Sequence, residues 1–272
     1  MLEEYHHLPS SQAIHSYHGG SMLHFGHDNS EMMESEKLDC RKQVLQIGKL
    51  RCDSQDIASC DEALQIDPYD CVAWYDRGKE LDDLGFYEEA LAYYHKALEI
   101  RPDYTDAWNS LGAILCDQLQ RYPDALFCFE QALKFDCLDD FSWYNRGNVL
   151  ENLHRYEDAV ASYDLALRIN PEDEATWYGR GWALYELENF EEAINSYEQA
   201  LRLKPTDDSA WYTKACCHAL LGEVISTIEC LLQAISLSPN QYGQMVKNDA
   251  DFDDIRDDMR FRTLMEELLI EG

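Results

Sequence analysis

Residues 71–104 read CVAWYDRGKELDDLGFYEEALAYYHKALEIRPDY, and this stretch decides the fold. Trp74, Gly78 and Leu81 fall at helical spacing, and so do Ala90, Leu91, Tyr94, Ala97 and Leu98. Apolar residues at i, i+3/i+4 and i+7 mark one face of an α-helix. Between the two runs lies Asp83-Leu84-Gly85-Phe86, where Gly85 suits a left-handed helix stop. The stretch predicts two short antiparallel helices, with small residues at Gly78, Ala90 and Ala97 permitting close approach.

The same beat runs along the chain. Tryptophan recurs at Trp74, Trp108, Trp143, Trp177 and Trp211, in steps of 34, 35, 34 and 34. Glycine keeps register at Gly78, Gly112, Gly147 and Gly181, alanine at Ala90, Ala125, Ala159 and Ala193 and again at Ala97, Ala132, Ala166, Ala200 and Ala234. Proline closes the units at Pro68, Pro102, Pro171, Pro205 and Pro239. A fixed period of this length marks a stacked-repeat architecture, and such arrays work as extended binding surfaces. Trp at position 4, Gly at 8, Leu at 11, an aromatic at 17, Ala at 20, an aromatic at 24, Ala at 27 and Pro at 32 resemble the tetratricopeptide repeat, bacterial type, with a C-terminal capping tail. The resemblance implies an all-α fold, a right-handed α-solenoid of antiparallel helix pairs. It divides 37–241 into a degenerate unit, 37–70, and five clear ones, 71–104, 105–139, 140–173, 174–207 and 208–241. The degenerate unit keeps Ala63, Leu64 and Pro68 but has Cys40 in the tryptophan position.

Three departures stand out. The second unit carries one extra residue, expected in the inter-helix turn at 117–124, where insertions cost little. Its closing proline is Cys137, which predicts a less rigid exit. The fifth has Ala215 for glycine and Thr227 for the tight alanine, and its second helix (Val224, Ile225, Ile228, Leu231, Leu232, Ile235) needs a cover. Residues 242–272 are expected to supply it, with Asp257 or Asp258 as N-cap of a last helix bearing Phe261, Leu264, Met265, Leu268 and Leu269. The stretch resembles the Asp-Phe…Arg-Asp-Asp-Pro-Arg-Phe tail of bacterial family members, with Met259 for the proline.

Residues 1–36 lack apolar periodicity and read as a flexible tail holding His15, His18, His24 and His27. Those four are weak metal-ligand candidates, and a metal-handling tail is one alternative function. No signal-peptide pattern is present, and no apolar run is long enough to span a bilayer.

The chain has 53 acidic and 22 basic residues, a formal charge of −31, which disfavours nucleic acid. Its ten cysteines form no CxxC pair and suit a reducing, cytoplasmic compartment. There is no Gly-rich phosphate loop, nucleophile elbow or His-Glu-x-x-His helix, so no enzyme and no cofactor is expected.

By the resemblance, positions 2, 5, 6, 9, 12 and 13 of each first helix line the concave, ligand-facing side. The partner-binding candidates there are Tyr75, Asp76, Lys79, Asn109, Tyr144, Asn145, Asn148, Asn152, Tyr178, Trp182, Tyr185 and Tyr212. Relatives that grip chaperone C-termini place Lys, Asn, Asn, Lys and Arg at such positions. Here Asn109, Asn145 and Asn148 stand without those cations, so a carboxylate-clamp adaptor is not implied. Asparagine side chains both donate to and accept from peptide backbones, while tyrosines beside acids suit apolar and cationic side chains. The expected function is a non-enzymatic scaffold, adaptor or assembly factor binding a basic, apolar protein segment. The alternative class is an architectural subunit. For the position-5 tyrosines, packing within the repeat is an equal alternative to ligand contact.

Overall fold

The computed structural model describes residues 54–270, which contain helices and turns and no strand. The histidine tail and the first helix of the degenerate unit lie outside the described residues. The chain divides between Pro171 and Glu172 into two compact units.

The first unit contains α1 (Ser54–Ile66), α2 (Cys71–Asp83), α3 (Tyr87–Ile100), α4 (Thr105–Ala113), α5 (Tyr122–Phe135), α6 (Asp140–Asn152) and α7 (Tyr156–Ile169). The second contains α8 (Glu174–Glu186), α9 (Phe190–Leu203), α10 (Asp208–Leu220), α11 (Val224–Leu237), α12 (Pro239–Asn248), a 3-10 turn (Ala250–Ile255) and α13 (Met259–Ile270). The pairs α2–α3, α4–α5, α6–α7, α8–α9 and α10–α11 are the densest contacts in their units, as antiparallel hairpins require.

Close approach inside a pair explains the glycine beat. A Cβ on Gly78 would sit 2.8 Å from the Tyr94 ring, on Gly112 2.8 Å from Phe129, on Gly147 2.5 Å from Tyr163 and on Gly181 2.7 Å from Tyr197. The glycine leaves room for a fully buried aromatic across the hairpin. In the fifth pair both partners change together: Ala215 faces a second helix whose position-24 residue is Leu231, and both are buried.

The Trp–Pro beat has a different cause. The indole N–H of Trp74 donates to the Pro68 carbonyl at 2.9 Å, Trp108 to Pro102 at 2.9 Å and Trp211 to Pro205 at 3.0 Å. Within each compact unit the tie joins one repeat to the end of the preceding repeat. Trp143 makes the same bond, at 3.0 Å, to the carbonyl of Cys137. The junction needs the carbonyl and not the ring, so the missing proline leaves this tie in place.

The extra residue enters the helix and not the turn. Ile114–Gln118 forms a π turn at the end of α4, with Leu119 N–H bonded to Ile114 O at 3.1 Å. After it the helix stops as in the other units, on a residue of positive φ: Gly85 (79°), Gln120 (53°), His154 (55°), Glu188 (58°) and Gly222 (74°). The left-handed stop read at Gly85 is thus a position, filled by non-glycine residues in three units.

First helices are also tied sideways to the preceding repeat of the same compact unit. Arg77 reaches Asp61 at 3.6 Å, Arg146 reaches Glu130 at 3.3 Å and Lys214 reaches Glu198 at 2.9 Å. Their aspartate N-caps hold the entries: Asp70 accepts from Val72 and Ala73 N–H, Asp173 from Thr176 and Asp207 from Ala210. Asp258 caps α13 through the Arg260 N–H at 2.9 Å, and that bond with the Arg260 side chain lowers its pKa to about 2.

Candidate functional site

In the first unit, α2 presents Asp76 and Lys79 to solvent. Tyr75, one residue earlier, is half-buried: its ring lies 5.5 Å from Tyr94 and 5.0 Å from Tyr104, and its hydroxyl 3.4 Å from Ser110 Oγ. The same position pairs Tyr144 with Tyr163 at 6.1 Å, and in the second unit Tyr178 with Tyr197 at 5.7 Å. Position-5 tyrosines therefore pack on the position-24 aromatic of their own hairpin.

The asparagines divide. Asn109 is buried; it donates to Asp139 at 2.7 Å and accepts from Ser142 Oγ at 2.6 Å. Both its polar ends are engaged in joining α4 to the entry of α6, so the open position expected from the repeat is buried here. Along α6 the others stay nearer solvent. Asn145 donates to the Phe141 carbonyl at 2.9 Å and Asn152 to the Asn148 carbonyl at 2.8 Å. Asn148 accepts from the Tyr163 hydroxyl at 2.7 Å. Tyr144, Asn145, Asn148 and Asn152 follow i, i+1, i+4, i+8 and form one partly exposed polar stripe.

In the second unit three candidates meet the chain itself. Trp182 is buried and stacks on Tyr185, with centroids 5.4 Å apart and planes at 22°. Tyr185 donates to Asp251 at 2.5 Å, and Tyr212 donates to Asp249 at 2.7 Å. Tyr212 is buried, stacks on Tyr242 at 4.7 Å and meets Phe252 edge-on at 5.9 Å. The expectation of open aromatic contacts does not hold for Trp182 and Tyr212, which are buried: Trp182 stacks on Tyr185, and the C-terminal segment covers Tyr212.

Burial pushes the Tyr185 and Tyr212 phenols far above their ordinary range, and Asp251 and Asp249 add to the shift. Both stay donors at any physiological pH. Burial also raises Asp251, against the pull of the Tyr185 hydrogen bond. The Cys116 and Cys128 thiols are pushed up to about 12 by burial, which suppresses the thiolate needed of a nucleophile. Cys216 Sγ and the Asp249 and Asp251 carboxylates lie within 4.8 Å of one another, with both carboxylates engaged by tyrosine hydroxyls. The position-7 cations escaped sequence reading. The signal was a basic residue directly before the register glycine at Arg77, Arg146 and Arg180.

Tetratricopeptide repeat models match residues 71–104, 141–173 and 175–207, and a second model of that repeat matches 208–241. An uncharacterized protein of Methanocaldococcus jannaschii is 40% identical over 60 residues, which span 22% of this chain and 69% of that protein. The chain belongs to the tetratricopeptide repeat family. Other relatives of this tetratricopeptide repeat protein are longer. The repeat-containing protein trd-1 of Caenorhabditis elegans is 29% identical over 33% of this chain and 11% of its own length. Protein arginine N-methyltransferase 9 of Homo sapiens is 41% identical over 20% of this chain and 6% of its own length. Among solved structures, YrrB, described as a protein of this family with an unusual peptide-binding site, superposes with a TM-score of 0.63 at 23% identity, covering 69% of this chain and 97% of YrrB. PilF of Pseudomonas aeruginosa gives a TM-score of 0.60 at 17% identity, covering 81% of this chain and 98% of PilF. These likenesses carry the fold. No helix among the described residues is long and apolar enough to cross a membrane.

Proposed function

We propose that this tetratricopeptide repeat protein is a non-enzymatic scaffold or assembly factor of the cytoplasm that binds a partner protein segment along the α6 stripe and the exposed end of α2. The observation that carries the reading is the stripe itself. Tyr144, Asn145, Asn148 and Asn152 share one face of α6, and only one hydrogen bond to a described residue engages each asparagine amide. Half-used amides retain donor or acceptor capacity for a peptide backbone. The chain's charge of −31 favours a basic segment, and the peptide-binding site described for YrrB is consistent with a peptide ligand.

A photo-crosslinking residue placed at 145, 148 or 152, and as control at Glu99 on the second helix α3, tests this in the native host. Adducts of one discrete partner from the α6 positions and not from 99 are expected. Equal labelling from all four positions, or none from α6, refutes the assignment.

A further inference from the structure

The second unit carries an observation that the α6 reading does not use. The turn Asp249–Phe252 lies against the first-helix face of α8 and α10, where a ligand is expected in this family. The segment arrives as a small recognition motif: two carboxylates separated by one residue, then an aromatic. Each of the three groups has its own seat. Asp249 accepts from Tyr212, Asp251 accepts from Tyr185, and Phe252 is fully buried against the Tyr212 ring. The segment is held in its bent form from behind. Asp249 Oδ1 accepts from the Asp251 N–H at 3.2 Å, and Arg256 donates to the Asp249 carbonyl at 2.6 Å and to the Val246 carbonyl at 3.3 Å.

We propose that this face is a binding subsite for acidic-aromatic segments of the form Asp-x-Asp-aromatic, and that residues 249–252 are a built-in competitor which a partner segment of the same chemistry displaces. The apolar face of α11 is covered by apolar contacts. α13 provides these: Phe261 and Leu264 are buried in the cluster with Leu231 and Ile235. Two carboxylates carried into a largely covered aromatic seat are not needed for capping. Burying them is costly unless each is hydrogen-bonded, and each takes a tyrosine hydroxyl here. The raised pKa of Asp251 agrees with that desolvation. The chemistry is opposite in sign to the basic segment expected on α6, so the two proposals stand or fall separately.

The probe is a fluorescent synthetic peptide with the sequence of residues 247–258, titrated into the full chain and into Asp251→Ala. The variant loses the Tyr185 bond and keeps Phe252 and the Asp249 cap. Binding to the variant at least tenfold tighter than to the parent is expected. Adding Tyr212→Phe to the variant is expected to weaken it again by several-fold, and a peptide with lysine at both aspartate positions is expected not to bind. Absence of binding to an Asp251→Ala chain of unchanged helical circular dichroism overturns the proposal. So does equal binding of the lysine peptide. If the variant does not fold, hydrogen exchange of the parent decides. Amides of 249–255 exchanging well before those of α10 support a displaceable segment. Exchange of both only on global unfolding makes the segment a fixed cap and refutes displacement.

Discussion

Replacing Cys137 with proline is expected to stabilise the chain. The four other clear repeats close on proline, and the residue before it adopts nearly one conformation. Arg101 has φ −129° and ψ 89°, Asn170 −127° and 90°, Lys204 −133° and 84°, and Ser238 −139° and 73°. Asp136 has φ −131° and ψ 94°, which is the extended geometry that a following proline demands. No hydrogen bond from the Cys137 N–H appears among the described residues, so the ring removes no donor in use. The bond from Trp143 goes to the carbonyl, which proline keeps. Cys137 is exposed, so loss of its side chain costs little. What remains is the reduced freedom of the unfolded chain, about 0.4–1 kcal/mol. For a domain of this size that raises Tm by about 1–4 °C. Cys137→Ala serves as control and is expected within about 0.5 kcal/mol of the parent. Because stacked repeats need not unfold as one body, denaturant melts should be paired with hydrogen exchange at the Trp143 amide, which donates to Asp139 O at 3.2 Å. Proline that lowers the midpoint, or that speeds exchange at Trp143, would show that residue 137 is not equivalent to its four counterparts.

Two further outcomes follow from the packing. Gly147→Ala places a Cβ 2.5 Å from the buried Tyr163 ring, and overpacking of about 1–3 kcal/mol outweighs the helix-propensity gain of about 1 kcal/mol; adding Tyr163→Leu, after the Ala215–Leu231 pair, is expected to recover part of the loss in urea melts, and a single variant as stable as the parent contradicts the close-approach account. Glu174 is pushed up to about 7 by burial and by its hydrogen bond with Asp207, while Lys204 and the Ala210 N–H hold Asp207 low against burial. Its folded pKa lies above the unfolded one, so its contribution is complete below the ordinary carboxylate range and is lost as pH rises through about 7. Glu174→Gln keeps a donor for Asp207, and is expected to exceed the parent by on the order of 1 kcal/mol at roughly pH 8 and to lose that advantage near pH 5; an equal difference at both pH values would sink the assignment.

The sequence disclosed the helix pairs and their register almost completely, because Trp, Gly, Ala and Pro positions report local packing that repeats every unit. It was less informative where one residue serves two units. The partner of each indole N–H is a backbone carbonyl, which no side-chain pattern reveals, and the proline beside it drew attention to the ring. The extra residue of the second unit was placed in the turn because turns accept insertions cheaply, but a π turn holds it within the helix without exposing Ile114, Leu115 or Cys116. Of the candidate contacts, Asp76, Lys79 and Asn152 are exposed as expected. Asn109, Trp182 and Tyr212 are not: Asp139, 30 positions on, engages Asn109, Asp249, 37 positions on, engages Tyr212, and Trp182 stacks on Tyr185, whose hydroxyl is held by Asp251. A periodic reading assigns each residue to a face. It does not report that a segment outside the period returns to occupy that face.

The π turn at Ile114–Gln118 acts as a phase absorber. The step from Trp108 to Trp143 is one residue longer than its neighbours, yet Trp143 makes the indole-to-carbonyl bond at the distance found where no residue is added. The surplus is cancelled before α5 begins, and α6 enters with its polar stripe in normal register. The one-residue insertion is thus absorbed inside the first compact unit, between α4 and α5, and leaves the junction from Cys137 to Trp143 as it is in repeats of ordinary length.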